Sequence, residues 1–327
     1  MQYRRLGKTG RDVSAIGFGA WAIGAGWGKV DDAESLRALH AAADAGVTLI
    51  DTADVYGDGH SEKVIARFLR ERSGEHFFVA TKMGRSVPQI PENYNPKAFR
   101  AWVDASRDRL GVDKLDLIQL HCPPTPVFYS PETFAALDEL VADGSIANYG
   151  VSVEKVEEGL KAIEYPSVAS VQIIFNMLRQ RPADHFLAEA KRRDVGVLAR
   201  VPMASGLLTG KMSKQTVFDA SDHRLFNRHG ESFDVGETFA GVDYDAGLAF
   251  VEDLRSLVPG GATMAQMALR WILMFDGVTA AIPGAKSPDQ AKANAGAADL
   301  AALPPATIER IRVMYEERIK PLVHQRW

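Results

Sequence analysis

Four side chains of the types used in acid–base chemistry stand at or just after strand-like segments of the chain. Asp51 ends the apolar run VTLID, and Tyr56 follows five residues later. Lys82 ends FFVATK, and His121 ends LDLIQLH. A phenol is a weak acid near neutral pH, and an adjacent ammonium lowers its pKa by stabilising the phenolate. A carboxylate would keep the lysine charged, and a histidine could align a carbonyl oxygen with the phenol. Such a site would protonate the oxygen of a carbonyl group while another group reduces its carbon, which suggests carbonyl reduction.

The elements that must position these residues form an alternating pattern. Short apolar or β-branched segments, several of them apolar on both faces, are typical of buried parallel strands. Between them lie helical patterns with start signals: Asp31 with Glu34, Ser130, Thr263 and Ser287 each stand where a helix cap is expected. An eightfold repeat of strand and helix predicts a (β/α)8 TIM barrel. The predicted strands are residues 13–19, 47–51, 77–82, 115–121, 146–152, 168–173, 195–200 and 278–284.

Two segments lie outside this repeat. Residues 2–13 predict a small N-terminal β-hairpin that turns at Lys8–Gly10 and could plug the bottom of the barrel. Residues 211–241 have weak periodicity, and a loop of that length in a compact domain is usually a lid or a binding loop. No segment has the composition of a linker, so a single barrel domain with long mouth loops is expected over residues 1–327.

Each of the four reactive side chains also has an ordinary interpretation. Asp51 could cap a strand end, Tyr56 could be a mouth aromatic, Lys82 could pair with Asp51, and His121 could be a core histidine. Their shared position argues for more than this, because all four fall at the C-terminal ends of the second, third and fourth predicted strands. Barrel active sites are built at those ends.

Composition excludes several classes of protein. The net charge of −4 and the pI near 6.1 give no electrostatic footprint for nucleic acid or an anionic membrane. Cys122 is the only cysteine, so no intramolecular disulfide is possible and a reducing compartment is expected. The first residues lack the apolar core of a signal peptide, and no apolar run approaches the length of a membrane span. We therefore expect a cytoplasmic enzyme.

Three glycine-containing segments were candidates for nucleotide binding. Residues 17–22 match a dinucleotide fingerprint, but the next helix starts only near Asp31, so the Rossmann context fails. Residues 206–211 resemble a P-loop that is one residue short, with Met212 in place of the magnesium-binding hydroxyl. The glycines after the seventh strand, and Gly284 with Ser287 after the eighth, still lie where barrels bind phosphate. Two such loops on adjacent strands would suit a dinucleotide.

The remaining motif matches give little support for any other function. Ser152 and Lys155 match SxxK without its companion motifs, so we interpret Ser152 as a helix cap. No HExxH, paired cysteines or EF-hand loop supports a metal site.

The ordered series of segments along essentially the whole chain resembles the aldo-keto reductase superfamily. The segments that carry the resemblance are YRRLGKTGRDVSAIGFGAW, DTADVYGDGHSEKVIA, VATKMG, LIQLHC, GSIANYGVS, VQIIFN, PMASGLLTGK and IPGAKSPDQAKAN. The chain is more similar to bacterial members with a PMASGLLTGK-like loop than to the mammalian aldose reductase branch.

The resemblance implies a catalytic tetrad and a cofactor. Tyr56 would be the general acid in reduction, Lys82 held by Asp51 would lower its pKa, and His121 would orient the carbonyl of a small substrate. Hydride would come from NADPH bound extended across the barrel mouth. The implied cofactor positions are Trp21 near the nicotinamide; Ser152 and Gln172 for its carboxamide; Pro202, Met203, Gly206, Leu207, Gly210 and Lys211 for the pyrophosphate and ribose; and Gly284, Lys286, Ser287, Gln290 and Asn294 for the adenosine and 2′-phosphate.

The chain departs from the family pattern at three positions. Val153 replaces the asparagine that follows the serine in many relatives, and Gln290 replaces an arginine on the adenosine side. Arg200 stands where many relatives place an aromatic residue, and we hypothesise that it stacks on the nicotinamide or contacts a polar substrate. A second hypothesis makes residues 211–241 a clasp that uses Arg224, Phe226 or Arg228 against the adenosine.

Two other functions are compatible with these residues. The chain could be a cofactor-binding regulatory subunit resembling channel-associated β-subunits, which share the fold and the tetrad. It could also be a lyase that uses Lys82 as a Schiff-base nucleophile, although a lysine paired with Asp51 should stay protonated. The substrate and the oligomeric state do not follow from the sequence.

Overall fold

Eight parallel strands form the central sheet of the computed structural model, which describes residues 1–24, 27–28 and 30–327. Residues 25, 26 and 29, in the glycine-rich loop that precedes the first helix, lie outside the described residues. The strands of the sheet are β3 (Phe18–Gly19), β4 (Leu49–Asp51), β5 (Phe78–Met83), β6 (Leu117–His121), β7 (Tyr149–Ser152), β8 (Val168–Ile174), β9 (Gly196–Arg200) and β10 (Ala280–Ala281).

The sheet curls until its first and last strands meet. The strands pair in chain order from β3 to β10. Parallel bridges join Ile16 to Ala281 and Gly19 to Gly284, on the two sides of the closure. The closed ring of parallel strands confirms the predicted (β/α)8 barrel.

Helices follow the strands around the ring. The helices are α1 (Asp32–Asp44), α2 (His60–Glu71), α3 (Pro96–Leu110), α4 (Pro131–Ala142), α5 (Val156–Ala162), α6 (Phe186–Arg192), α7 (His223–Phe226), α8 (Tyr244–Leu254), α9 (Met264–Ile272), α10 (Pro288–Gly296), α11 (Pro305–Arg318) and α12 (Lys320–Val323). No helix among the described residues is long and apolar enough to cross a membrane.

Most of the predicted helix starts are confirmed. The hydroxyls of Ser130, Thr263 and Ser287 accept hydrogen bonds from backbone N–H groups in the first turns of α4, α9 and α10. Asp31 precedes α1 as predicted, but its side chain makes no capping hydrogen bond. The expectation that Ser152 caps a helix is wrong, because Ser152 ends β7 and α5 begins only at Val156.

The N-terminal hairpin closes the bottom of the barrel, as predicted. Its strands β1 (Tyr3–Arg5) and β2 (Asp12–Ser14) pair antiparallel around a 3-10 turn at Gly7–Thr9. The first predicted barrel strand, residues 13–19, is therefore divided, since Val13 and Ser14 belong to the hairpin. Leu6 is fully buried in a cluster with Leu49, Leu117 and other side chains of the barrel strands.

The long segment 211–241 is more ordered than its composition indicates. It contains helix α7 and two 3-10 turns, Val235–Glu237 and Phe239–Gly241. An antiparallel bridge joins Asp222 of this segment to Trp27 in the loop after β3. The segment therefore lies across the mouth, on the side where the four reactive side chains are found.

Leu6→Ala should lower the free energy of unfolding by about 2–5 kcal/mol, because it leaves a cavity in the closed bottom of the barrel. Urea unfolding would measure the loss. Leu322→Ala is a matched control, since Leu322 is 40% exposed, and it should change stability by less than about 0.5 kcal/mol. Equal losses in the free energy of unfolding for the two substitutions would show that Leu6 does not anchor the hairpin to the barrel.

Candidate active site

A buried ion pair lies at the C-terminal ends of β4 and β5. The Lys82 Nζ donates to Asp51 Oδ1 at 2.6 Å and to the Thr52 carbonyl at 2.8 Å. The second Asp51 oxygen accepts from Gln172 Nε2 at 2.7 Å. Burial disfavours the ammonium, but Asp51 and Tyr56 together raise the pKa of Lys82 above its ordinary value. Lys82 is therefore protonated at neutral pH, and a protonated amine is a poor Schiff-base nucleophile.

Tyr56 lies against this pair. Its Oη accepts from Lys82 Nζ at 3.4 Å. The residue leads into a tight turn in which Gly57, Asp58 and Gly59 all have positive φ, and α2 begins directly afterwards. Gly24 packs on the backbone of Tyr56 so closely that a Cβ there would lie 2.2 Å from the Tyr56 carbonyl carbon. The turn and the close glycine contact hold the phenol at the ammonium.

The phenol is protonated in this environment. Burial raises the pKa of Tyr56, while the Lys82 ammonium acts in the opposite direction and Asp51 and Glu237 add to the increase. Lys82 lowers the pKa of Tyr56 as expected, but burial has the larger effect, and the net pKa lies above its ordinary value. The ammonium offsets the effect of burial only in part. A protonated phenol is nevertheless the form that a proton donor needs.

His121 faces the phenol from the end of β6. The two rings are 5.9 Å apart at an angle of 82°. Burial lowers the pKa of His121 well below its usual range, and Arg85, Lys82 and Arg200 add to this effect. Nδ1 is buried without a hydrogen-bond partner among the described residues. His121 is therefore a neutral imidazole with hydrogen-bonding capacity left for another molecule.

Two of the predicted cofactor residues stand in one row with His121. The register of the sheet places Ser152 beside His121 and Gln172 beside Ser152. Both side chains are buried, and Gln172 reaches Asp51 from the far side of the barrel. The structure thus brings the tetrad and the predicted carboxamide positions together.

Aromatic rings cover the phenol from the mouth. Trp21 stacks on Tyr56 with centroids 6.1 Å apart. His223, from the long segment, lies 4.6 Å from the Trp21 ring and 4.4 Å from the Trp27 ring. A residue of segment 211–241 therefore packs against two tryptophans beside the tetrad, and the two tryptophan rings also contact each other at 5.6 Å.

The turn after β9 holds six of the predicted cofactor positions. Val201, Ala204 and Ser205 adopt positive φ values of 50°, 47° and 53°, and Gly206 has 99°. Such strained backbone clusters at ligand clamps. The six positions, all within or at the end of this turn, are Pro202, Met203, Gly206, Leu207, Gly210 and Lys211.

The predicted adenosine-side residues surround the start of α10. Ser287 caps this helix by accepting from the Gln290 N–H at 3.3 Å, and Gln290 Oε1 accepts from the Lys286 N–H at 2.8 Å. Asn294 Nδ2 donates to the Gly284 carbonyl at 3.1 Å. The Lys286 ammonium donates to the Trp27 carbonyl. A helix N-terminus with a lysine beside it is suited to an anion.

Arg200 belongs to a network of two arginines and two glutamates, hereafter the Arg–Glu network: Arg85, Glu154, Arg200 and Glu237. Arg200 Nη2 lies 2.8 Å from Glu154 Oε2, and Arg200 Nη1 lies 3.5 Å from Glu237 Oε1. Arg85 Nη2 contacts the same two carboxylates, at 3.2 Å from Glu154 and 2.8 Å from Glu237. Arg200 Nε is buried without a hydrogen-bond partner among the described residues. The stacking of Arg200 on a nicotinamide stays a prediction.

The two carboxylates of the network differ in their electrostatics. Although burial opposes ionisation, Arg85 and Arg200 lower the pKa of Glu237 to about 2. Burial raises the pKa of Glu154 to about 7, and Glu237 adds to the increase. Glu237 is thus the more acidic of the two carboxyl groups.

The same place contains a thiol. The Cys122 sulfur and the carboxylate oxygens of Glu154 and Glu237 lie within 4.8 Å of one another, a separation that would suit metal ligands. Both carboxylates are bonded to guanidinium groups, however, and burial raises the pKa of Cys122 to about 12. The group is an ion-pair network beside a neutral thiol.

Three members of the network were not predicted from the sequence. Arg85 and Glu154 come shortly after strand ends that carry Lys82 and Ser152, so a search of strand-end neighbours could have found them. Glu237 lies in a segment without periodicity, and no local signal marks it. Among the predicted clasp residues, Arg224 pairs with Asp222 and lies 4.8 Å above the Trp27 ring, while Phe226 is half exposed.

Comparison with known proteins assigns the family. The model of the Aldo/keto reductase family matches residues 15–316. The chain belongs to this family. It is 31% identical to the aldo-keto reductase YhdN of Bacillus subtilis, over 90% of this chain and 87% of that protein. Aldo-keto reductases are NAD(P)H-dependent oxidoreductases that act on small carbonyl substrates, and this chain is one of them.

Solved structures of aldo-keto reductases have the same fold. A glycerol dehydrogenase from Gluconobacter oxydans superposes with a TM-score of 0.78 and 30% identity, covering 97% of this chain and 96% of that one. An aldo-keto reductase from Klebsiella pneumoniae in complex with NADPH shares the fold at 23% identity, with a TM-score of 0.72, covering 96% of this chain and 95% of that one.

The lowered pKa of His121 has a consequence for stability. The unfolded imidazole binds a proton near pH 6.5 while the buried one does not, so stability is complete above that pH and falls as the pH drops below it. The loss should reach about 1.4 kcal/mol per pH unit. Urea unfolding between about pH 7 and pH 5 should show a shallower loss for His121→Gln than for the unaltered protein. Parallel losses would contradict a neutral, buried His121.

Proposed function

We propose that the protein reduces small, sugar-like aldehydes or ketones to alcohols, with NADPH as the hydride donor and Tyr56 as the general acid. The observation that carries this proposal is the contact of Lys82 Nζ with both Asp51 Oδ1 and Tyr56 Oη, beside the neutral ring of His121. A substrate oxygen placed between Tyr56 and His121 would meet two hydrogen-bond donors. Such donors stabilise the charge that develops on oxygen during reduction.

The proton path follows from the protonation states. The Tyr56 O–H bond breaks as its proton passes to the carbonyl oxygen, and the phenolate that remains is stabilised by the Lys82 ammonium at 3.4 Å. Asp51 keeps that ammonium charged. In the reverse direction the phenolate would take the proton from the alcohol. The neutral His121 can donate a ring N–H toward the carbonyl without placing a second positive charge in the site.

The residues at the mouth fit a dinucleotide. Arg200 Nε and His121 Nδ1 are buried donors or acceptors without partners among the described residues, next to the row of Ser152 and Gln172. The left-handed turn after β9 would hold the pyrophosphate, and Lys286 at the start of α10 would pair with the 2′-phosphate. The bound nicotinamide would supply a hydride to the carbonyl carbon. The NADPH complex of the Klebsiella relative supports the same cofactor here.

The substrate class rests on the relative from Gluconobacter oxydans, a glycerol dehydrogenase, and on the mixture of aromatic and polar groups at this mouth.

Segment 211–241 would cover the cofactor as a clasp, with Arg224 and Arg228 against the adenosine. Shortening this segment should weaken NADPH binding, because its contacts with the mouth are lost. An unchanged affinity for NADPH would contradict the clasp hypothesis.

Tyr56→Phe should lower kcat by a factor of about 10²–10⁴, because the phenol is the only proton donor the proposal assigns. NADPH affinity should stay within a few-fold, as the ring and its contact with Trp21 are kept. Steady-state NADPH oxidation with a panel of small aldehydes measures the first quantity, and fluorescence titration measures the second. Tyr3→Phe, at the opposite end of the barrel, is the matched control and should change neither.

The same assay separates an enzyme from a cofactor-binding regulatory subunit. Turnover by the unaltered protein that disappears in Tyr56→Phe supports the reductase. NADPH binding without turnover of any aldehyde or ketone in the panel would favour the regulatory subunit.

Lys286→Ala should weaken NADPH binding about tenfold or more and leave NADH binding nearly unchanged, since a charge-assisted contact to phosphate contributes about 1.5–3 kcal/mol. Titration calorimetry with both cofactors gives the comparison. Lys292→Ala, within the helix α10 that follows Lys286, is the control. A similar loss for both cofactors would place Lys286 away from the 2′-phosphate.

A further inference from the structure

The Arg–Glu network borders the substrate side of the proposed site. Arg85 follows β5, Glu154 follows β7, and Arg200 ends β9, so these three come from the strand ends of the barrel. Glu237 comes from the long mouth segment. Its carboxylate lies within 4.8 Å of the Cys122 sulfur, and Cys122 directly follows His121. A negative charge is thereby introduced from the mouth to a position close enough to the phenol to raise the pKa of Tyr56.

Independent contacts hold Glu237 in this position. Ser205 Oγ donates to the Glu237 carbonyl at 3.0 Å and accepts from the Phe239 N–H at 3.1 Å. Behind the segment, Trp327 Nε1 donates to Asp234 Oδ1 at 3.0 Å. A Cβ at Gly241 would lie 2.2 Å from the Trp327 ring, so the segment fits closely against this tryptophan. The carboxylate is therefore built into the site.

The charges of the network would otherwise favour an anion. Two guanidinium groups converge on one place, and guanidinium is well suited to carboxylate and phosphate groups because it donates parallel hydrogen bonds. Glu237 contacts both, at 2.8 Å from Arg85 and 3.5 Å from Arg200. Glu154 contacts both as well, but burial raises the pKa of its carboxyl group and makes it the weaker counterion of the two. A carboxylate on a substrate would have to compete with an intramolecular carboxylate that is already anchored.

We propose that Glu237 is a specificity-determining residue: it neutralises Arg85 and Arg200 beside His121, and so selects neutral carbonyl substrates over those that bear a carboxylate or phosphate. The inference rests on the proposed reductase function and deepens it, because it names the charge class of the substrate. A neutral polyhydroxylated carbonyl meets no repulsion at this place, whereas an anionic one meets the Glu237 charge.

A pair of aldehydes of similar size tests the inference. Butanal and succinic semialdehyde differ chiefly in that the second carries a terminal carboxylate. In Glu237→Gln the ratio of kcat/KM for succinic semialdehyde to that for butanal should rise about tenfold or more, since one repelling charge is removed near two cations. The increase should shrink as salt is added, because screening weakens the attraction. A ratio within twofold of the unaltered protein would overturn the proposal.

Matched variants separate charge from folding. Glu231→Gln lies in the same segment and should leave the ratio unchanged. Arg85→Gln should shift the ratio the other way, toward butanal. The double variant Arg85→Gln with Glu237→Gln removes an ion pair together, which is tolerated better than the loss of one partner, and it should return the ratio toward that of the unaltered protein. If Glu237→Gln does not fold, the Arg85→Gln variant still tests the proposal. Its ratio of kcat/KM for succinic semialdehyde to that for butanal should fall, and a ratio that does not fall would overturn the proposal.

A binding measurement keeps the inference distinct from the proposed function. Titration calorimetry with succinate at low salt should show about tenfold tighter binding to Glu237→Gln than to the unaltered protein, with no difference for butyramide. If the unaltered protein turns over no carbonyl compound but this difference is found, the proposed function fails and the charge role of Glu237 stands. Equal succinate affinities would overturn the charge role even if the enzyme is active.

Discussion

A buried ammonium–carboxylate contact is the constraint on which the rest of the site depends. Lys82 and Asp51 are almost fully buried at the top of the barrel, where an isolated charge of either sign would be costly. The pair is tolerated because its remaining hydrogen-bonding groups are occupied. The Thr52 carbonyl accepts from the ammonium, and Gln172 donates to the carboxylate from across the barrel. Strands β4, β5 and β8 are thereby tied together at one point, and Tyr56 is placed against it.

The protonation states around this pair follow from a competition between burial and Coulomb interactions. For Lys82 the two neighbouring oxygens outweigh burial, so the charge is kept. For Tyr56 burial outweighs the ammonium, so the phenol keeps its proton. For His121 burial and three cations act in the same direction, and the imidazole is neutral. The result is one cation and two neutral groups at one end of the barrel, which are the protonation states that the proposed proton donation from Tyr56 to a carbonyl oxygen requires.

Segment 211–241 contributes side chains on two sides of the tetrad. On one side His223 packs against Trp21 and Trp27, and Trp21 covers the phenol. On the other side Glu237 completes the network with Arg85 and Arg200, next to His121. Because Trp327 packs behind the same segment, residues far apart in the chain determine where the Glu237 carboxylate lies. The aromatic side and the ionic side of the mouth are therefore set by one insertion between β9 and α8.

The barrel and the hairpin plug could be predicted from the sequence because local patterns specify them, and the same patterns placed the four residues of the proposed tetrad at strand ends. Runs such as FFVATK and LDLIQLH specify buried parallel strands, and their C-terminal residues must meet at one end of a barrel. The net direction of the Tyr56 pKa could not be predicted and came from the folded structure, since burial depends on what packs over the ring. The folded structure also decided that Arg200 is engaged by Glu154 and Glu237. That contact joins a strand end to a segment without periodicity, and no local pattern records which distant charge a side chain meets once the chain has folded.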